Sequence, residues 1–455
     1  MMYILAILIF AFFFYRSSLS YYFVSDDFIA LFNHVNNPNL IKIDQLNNHY
    51  TPIIWCINFL LYKIFNLNSV PYHIVIILVH LFNCYLVYYL AISFTHSKIK
   101  SSISSLLFAF FFGAYEVVYW FGAMNNCLMV TFYLISLLCL MNYVKNRNLL
   151  FCLLFQVSFL AAYFTHEYAI SLIPVAIAYW WLFSDKKTKR NFLTLLSVPI
   201  FVVALTFILK FLFIKMSLVV STPSLMKFVA FTMRSYVYLF IPNPYFIDKI
   251  PNIFIPIIFF FILIFLIKYT KNKQTLFLLI WVTTTIFVYS FTSAPQARYF
   301  YLSFIPVIIY TLLVVKIKQL IVALYLSFIF ISGLIFLQNQ KLSWYKSSEI
   351  TKKVIGNIKQ YYTHPQKDDV LYFVNLPDSS NDSLWKAYVF RAGFPSLLTN
   401  ILHVFPKKII FLRSFTPTSH TIEAPYINPE KLKTVARHNI VFVYKEDTGN
   451  VFLMK

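Results

Sequence analysis

Charged residues are scarce in this chain of 455 residues. They make up 12% of it, whereas 60% is hydrophobic and the mean hydropathy is +0.71. A soluble globular protein has roughly 25% charged residues, so this composition excludes an ordinary cytosolic enzyme. Glycine is rare as well, with 6 residues, and 20% of the chain is aromatic, which excludes a collagen-like or disordered chain. The composition indicates a protein that crosses a membrane several times.

Acidic residues and reactive cysteine patterns are also few. The chain has 16 acidic against 38 basic residues, a net charge of +22. The basic residues do not cluster on one helix or arm, so we expect no nucleic-acid partner and assign the charge to membrane topology and anionic lipid headgroups. The 5 cysteines form no CxxC and no Cys/His metal spacing, which favours buried, unreactive thiols.

Apolar segments predict an α-helical polytopic membrane protein with about 11 transmembrane helices. Several of these segments are near the roughly 17-residue lower limit for a spanning helix. We place the spans at about 1–16, 70–93, 102–117, 125–144, 148–164, 168–184, 192–214, 252–268, 275–293, 299–315 and 319–337. We interpret the first as a retained anchor rather than a signal peptide, because it has no basic start and no clear cleavage site.

The short loops between the spans predict the orientation. Five alternate loops, near 98–100, 145–147, 186–190, 268–273 and 316–318, hold 13 basic residues. The opposite loops, near 118–124, 165–167 and 294–298, hold one, Arg298. The positive-inside rule then places the N-terminus in the cytoplasm and the C-terminal region outside a cell (inner) membrane.

Two long outer loops and a polar tail complete the organisation. The transmembrane domain, residues 1–337, has outer loops at 17–69 and 215–251, and each contains an amphipathic stretch, 53–65 and 224–240, suited to the membrane interface. Residues 338–455 predict a small extracytoplasmic α/β domain, with a helix at 347–362, strands at 370–375, 408–412 and 440–444, and a final hairpin strand at 451–454.

The few acids of the membrane part lie mostly on the outer side. Seven precede residue 338, and Asp185 is the one assigned to the cytoplasm. Asp26 and Asp27 follow the first span, Glu116 ends the third, and Glu167 lies between the fifth and sixth. Carboxylates at a membrane surface are unfavourable unless they face water or a partner, so these four are candidate functional residues.

A series of short polar and aromatic segments recurs along the membrane part: residues 25–28 (SDDF), 49–52 (HYTP), 71–73 (PYH), 80–83 (HLFN), 115–120 (YEVVYW), 165–167 (THE) and 297–301 (ARYFY). This series resembles the GT-C glycosyltransferases, which include the protein O-mannosyltransferases and aminoarabinose transferases. The resemblance covers about residues 1–320 in consistent order. It departs from the family at Gly113-Ala114, where a proline is usual, and at His166, where a lysine is usual.

The resemblance implies a function. Such an enzyme moves a sugar, a hexose or pentose, from a polyprenyl-phosphate donor to a glycan, lipid or protein acceptor on the extracytoplasmic face. Asp26 would be the base that takes the proton of the acceptor hydroxyl, with Asp27 as its positioning partner. Arg298 would bind the leaving lipid phosphate through its fork of donors. The remaining substrate-binding candidates are His49, Glu116, His166, Glu167, Tyr299 and Arg234.

Other interpretations remain open from the sequence. A divalent ion held by Asp26, Glu116 or Glu167 is an alternative, although we predict a metal-independent enzyme without a cofactor. A polytopic transporter or lipid flippase is the main alternative function. Its usual glycine-rich or broken helices around a midplane site are not evident in this sequence. A sensor or scaffold whose tail binds a partner is the third.

Overall fold

A computed structural model of the chain describes residues 2–36, 50–185, 192–214, 224–291, 296–315, 320–381, 385–391, 393–402, 406–414 and 420–454. It confirms the predicted class: a mostly helical polypeptide with a small sheet domain at its C-terminal end. Within the described residues, six helical segments are long and apolar enough to cross a membrane, and five shorter apolar helices accompany them.

The helices of the membrane part follow the apolar segments of the sequence. They are α1 Met2–Tyr15, α2 Asp27–Asn36, α3 Pro52–Phe65, α4 Ser69–Thr95, α5 Lys98–Ala109, α6 Ala114–Tyr119, α7 Met124–Asn146, α8 Leu149–Thr165, α9 Leu172–Phe183, α10 Phe192–Ile214, α11 Leu225–Phe240, α12 Pro244–Ile247, α13 Ile255–Tyr269, α14 Lys273–Tyr289, α15 Ala297–Val314 and α16 Leu320–Tyr361. The predicted amphipathic stretches are the helices α3 and α11, and their placement in the plane of the interface stays a prediction.

Two helices differ from the expected spans. The third span is interrupted, because α5 ends at Ala109 and the chain bends before the short helix α6. Gly333 of α16 packs on this bend, where any side chain would collide with the carbonyl group of Phe110. In addition, α16 has 42 residues and runs through residue 338 without a break. The last span and the predicted helix at 347–362 are therefore one helix.

A buried polar network ties α4, α7 and α15 together. The Tyr301 hydroxyl lies 2.7 Å from His80 Nδ1. The side-chain amide of Asn83 donates to the carbonyl oxygen of Cys127 at 2.9 Å, and Thr131 Oγ1 donates to Asn83 Oδ1 at 2.7 Å. Because buried polar groups are stable only when bonded, this network fixes α15 against α4 and α7.

Basic residues bind groups at the end of the bundle that the charge pattern predicts to be cytoplasmic. Lys100 Nζ donates to the carbonyl oxygen of Leu312 at 2.5 Å, at the last turn of α15. Arg147, which follows α7, forms an ion pair with Asp185, which follows α9. These contacts join the start of α5 to the end of α15 and the residue after α7 to the segment after α9.

The C-terminal part contains a four-stranded sheet. Its elements are β1 Val370–Val374, α17 Phe394–Leu402, β2 Lys408–Leu412, α18 Pro429–Ala436, β3 Ile440–Lys445 and β4 Asn450–Met454. The strand order is β2-β1-β3-β4, with β1 parallel to β2 and β3, and β4 antiparallel to β3. Tyr372 pairs with Ile410 on one side and Val441 on the other. The predicted strands and the hairpin are confirmed.

The tail packs directly on the first outer segment of the membrane part. Tyr22 N donates to Ser348 Oγ at 2.6 Å, and the Tyr21 hydroxyl donates to the carbonyl oxygen of Lys341 at 2.8 Å. Ser25 N donates to the carbonyl oxygen of Val389 at 2.7 Å. The residues just before Asp26 are thus held by both α16 and the tail.

Candidate active site

The two neighbouring aspartates occupy different environments at the start of α2. Asp27 is 1% exposed, and its carboxyl group accepts hydrogen bonds from Val24 N at 2.9 Å and Gly122 N at 2.6 Å. Burial raises the pKa of the Asp27 carboxyl group well above its usual range, and these backbone hydrogen bonds offset part of the rise. Asp27 therefore ties the first outer segment to the turn that precedes α7.

Asp26 is half-buried, and its carboxylate accepts fewer hydrogen bonds than that of Asp27. Ser25 Oγ donates to Asp26 Oδ1 at 3.1 Å, and this is its one side-chain hydrogen bond among the described residues. The carbonyl oxygen of Asp26 accepts from Ile29 N and Ala30 N, so the residue caps α2. A carboxylate that is partly exposed and lightly bonded is available to accept a proton from a substrate.

Glu116 and Arg298 form a buried ion pair. Arg298 Nη1 lies 2.6 Å from Glu116 Oε1, and the side chains are 16% and 3% exposed. The backbone N–H of Arg298 also donates to Glu116 Oε2 at 2.9 Å, in the first turn of α15. The carboxylate thus satisfies both a guanidinium and a helix N-terminus. The Arg298 guanidinium also lies over the rings of Trp120, at 5.1 Å, and Tyr299, at 5.3 Å.

The turn between α8 and α9 reaches the same region through aromatic rings. The Tyr168 ring lies 5.4 Å from Tyr299 and 4.6 Å from Tyr289. His166 Nδ1 accepts a hydrogen bond from Tyr168 N at 3.3 Å and so caps the short 3-10 helix that begins at Glu167. Tyr299 therefore connects the turn of His166 and Glu167 with Arg298.

Arg234 lines a separate, largely apolar cavity beside α11. The cavity has a volume of about 910 Å³, and Lys227, Arg234, Tyr238 and Ile255 are among its lining residues. Arg234 Nε is buried without a hydrogen-bond partner in the described part of the chain. The Tyr238 ring lies 5.5 Å from Phe300 of α15, so the cavity borders the helix that carries Arg298.

The tail covers the ion pair with aromatic side chains. The Trp120 ring lies 5.9 Å from Trp344 of α16 and 5.5 Å from Tyr388 of the tail. The Trp385 indole N–H donates to Asp248 Oδ2 at 2.8 Å, and the Tyr238 hydroxyl binds the other oxygen of the same carboxylate. The tail is therefore part of the wall around the candidate site.

The structure brings most of the predicted site residues together. Asp27 contacts the turn after Trp120, Trp120 lies under Arg298, Arg298 binds Glu116, and Tyr299 reaches the turn of His166 and Glu167. His49 lies outside the described residues, and Arg234 lies at the neighbouring cavity. Among the described residues, no group of three or more His, Cys, Asp or Glu side chains is suited to hold a metal ion.

Sequence reasoning missed the contribution of Tyr388 and Arg391. The Arg391 guanidinium lies 4.8 Å from the centre of the Tyr388 ring. Both residues follow the last span by about 50 positions, and no charge pattern or motif marks them. Only the packing of the tail on residues 21–25 places them near Asp26.

The chain is similar in shape to two solved structures of one protein. The crystal structure of ArnT from Cupriavidus metallidurans in the apo state aligns with 98% of this chain and 93% of its own, at a TM-score of 0.49 and 10% identity. The structure of that ArnT bound to undecaprenyl phosphate aligns over the same shares, at 0.49 and 11%. No family model matches the chain, and no curated protein matches it. At these values we base the functional proposal on the residues of this chain alone.

Proposed function

We propose that this protein is an integral membrane glycosyltransferase. It transfers a sugar, a hexose or a pentose, from a polyprenyl-phosphate donor to an acceptor hydroxyl on the extracytoplasmic face. One observation carries the proposal: acids and an arginine that are far apart in sequence meet at one end of the helical bundle. A lightly bonded carboxylate, Asp26, lies beside a buried one, Asp27, which is joined through the turn after Trp120 to the Glu116–Arg298 pair.

The geometry supports a division of roles. Asp26 takes the proton of the acceptor hydroxyl while the hydroxyl oxygen bonds to the anomeric carbon of the sugar. The bond between that carbon and the donor phosphate breaks in the same step. The negative charge of Asp26 also favours the oxocarbenium-like sugar. Asp27 positions Asp26 through its hydrogen bonds to Val24 and Gly122. Arg298, held by Glu116 and by two aromatic rings, presents its remaining N–H groups to the leaving phosphate.

The cavity beside α11 supports a lipid-linked donor. Its walls are mostly apolar, as an isoprenoid chain requires, and Lys227 and Arg234 supply positive charge for a phosphate. Because Tyr238 lines the cavity and also contacts Phe300, a lipid bound there would lie close to the first turns of α15. The proposed reaction needs a carboxylate base and a guanidinium, and no metal ion.

The test measures release of polyprenyl phosphate from radiolabelled polyprenyl-phosphate hexoses and pentoses by the full-length protein in vesicles. Asp26→Asn keeps the size of the side chain and removes the base. We expect transfer to fall by a factor on the order of 10²–10⁴ while the protein remains inserted. Asp185→Asn, at the other end of the bundle, is the matched control and should transfer at the wild-type rate.

Two results would overturn the proposal. Near-normal transfer by Asp26→Asn would reject Asp26 as the base. Movement of an intact lipid-linked sugar across the bilayer, with no cleavage of the sugar–phosphate bond, would instead identify a transporter or flippase.

A further inference from the structure

The membrane part of the site carries its positive charge at Arg298 and beside α11, and none of these cations is a partner of Asp26 among the described residues. Asp26 carries a carboxylate without a basic partner among the described residues. Arg298 is paired with Glu116 at 2.6 Å, so part of its charge is already offset. A phosphate group that approaches Asp26 would be repelled unless another cation lies nearby.

The tail brings such a cation, Arg391, to the segment that carries Asp26. The carbonyl oxygen of Val389 accepts a hydrogen bond from Ser25 N at 2.7 Å. Gly393 packs so closely on Ser25 that a side chain there would collide with the Ser25 carbonyl oxygen. Arg391 lies between these two contacts, and Ser25 directly precedes Asp26. The path of the chain therefore fixes Arg391 at the edge of the site.

Aromatic packing holds both arginines on one group of rings. Arg391 lies over Tyr388 at 4.8 Å, the Tyr388 ring lies 5.5 Å from Trp120, and Trp120 lies under Arg298 at 5.1 Å. Unlike Arg298, Arg391 is exposed and has no carboxylate partner in the described part of the chain. An arginine seated on a ring keeps its edge N–H groups free for an anion.

We propose that Arg391 and Tyr388 form a phosphate-binding subsite of the substrate, at the junction between the tail and the membrane part. The inference rests on the proposed function and names a ligand contact for the same site. Burial raises the pKa of the Tyr388 hydroxyl to about 12, so the hydroxyl is protonated at neutral pH and donates a hydrogen bond. The bound phosphate belongs either to the lipid-linked donor or to a phosphorylated acceptor.

Binding of polyprenyl phosphate, without a sugar, to the full-length protein in nanodiscs tests the subsite apart from turnover. We expect Arg391→Gln to weaken binding on the order of tenfold, and Arg391→Lys to restore part of the loss. Arg437→Gln removes the same charge from the exposed residue that follows α18 and is the matched control, with unchanged binding. Equal weakening by both variants would indicate a general charge effect and overturn the subsite.

The kinetics of transfer then separate the two sources of phosphate. If lipid binding is unchanged but the KM for a phosphorylated acceptor rises about tenfold in Arg391→Gln, the subsite binds the acceptor. If neither lipid binding nor this KM changes, the inference is wrong. Failure of the proposed function would give a different result. The wild-type protein would then show no transfer that is lost in Asp26→Asn, whatever Arg391→Gln does.

Discussion

Two ion pairs at opposite ends of the helical bundle each join an arginine to a carboxylate, but they differ in burial and in the contacts around them. Arg147 and Asp185 pair at the end that we predict to be cytoplasmic, the inner end, where their side chains are 48% and 51% exposed. Arg298 and Glu116 pair at the end that we predict to be extracytoplasmic, the outer end, where they are 16% and 3% exposed. The outer pair also engages a backbone N–H and two aromatic rings. The Arg147–Asp185 pair is a solvent-exposed contact, whereas the Arg298–Glu116 pair is buried and held by neighbouring groups.

The difference in burial implies that the two ion pairs contribute differently to stability. An exposed ion pair contributes about 0–1 kcal/mol to stability, so we expect the charges at the predicted cytoplasmic end to act chiefly on orientation during insertion. A buried pair has a large desolvation cost and is strongly destabilised when one partner is lost. Buried charged groups cluster at functional sites, so a buried pair in the same region as Asp26 and Asp27 is consistent with a substrate-binding role.

Cysteine labelling from outside gives the largest contrast between the two ends. In a background without the native cysteines, a cysteine at Gln360, on the outer part of α16, should react with an impermeant reagent. A cysteine at Asn146, at the end of α7, should react only after the membrane is opened. The reversed pattern would place the acids in the cytoplasm and remove the catalytic assignment.

Removing one partner from each ion pair should separate the pairs by stability. Glu116→Gln leaves Arg298 buried without its counter-charge, and we expect the free energy of unfolding in detergent to fall by about 3–5 kcal/mol. Asp185→Asn should lower it by less than about 1 kcal/mol. Similar losses in the two variants would show that the outer pair is not a special feature of the fold.

The shape of the Arg298 guanidinium should matter as well as its charge. Arg298→Lys keeps the charge but loses the fork that binds Glu116 and stacks on Trp120. We expect transfer to fall on the order of tenfold or more, measured as kcat/KM for the lipid-linked donor. The parallel Arg147→Lys variant should match the wild-type rate, and an unimpaired Arg298→Lys would show that charge alone suffices.

A pair of glycines tests the contact between the tail and Asp26. Gly393→Ala places a methyl group against the Ser25 carbonyl, so we expect a loss of about 1–3 kcal/mol in stability and a smaller change in transfer than for Arg298→Lys. Gly356→Ala lies on α16, where no atom is within 4 Å of the added methyl group, and should be stabilising by up to about 1 kcal/mol. Transfer rates that fall equally in both variants would contradict a specific role for the contact.

The sequence was a good guide wherever the signal is local. Apolar runs predicted the helices, and β-branched runs predicted the four strands of the tail, because burial and propensity act over a few residues. The order of the acidic segments predicted that Asp27, Glu116 and Arg298 belong to one region. The pairing of Glu116 with Arg298 was not predicted, since 182 positions separate them and many other pairings were possible. Tyr388 and Arg391 were missed for the same reason.

The contact of the tail with Ser25 also has a consequence in time. A chain is synthesised from its N-terminus, so residues 25–27 emerge long before Val389 and Gly393. Ser25 N finds its partner, the Val389 carbonyl oxygen, only after the last span has been inserted and the tail has folded against it. A partly made chain would therefore hold the acids without their covering segment. On the proposed function, the substrate site of the growing protein would lack the wall formed by the tail until the final domain is in place.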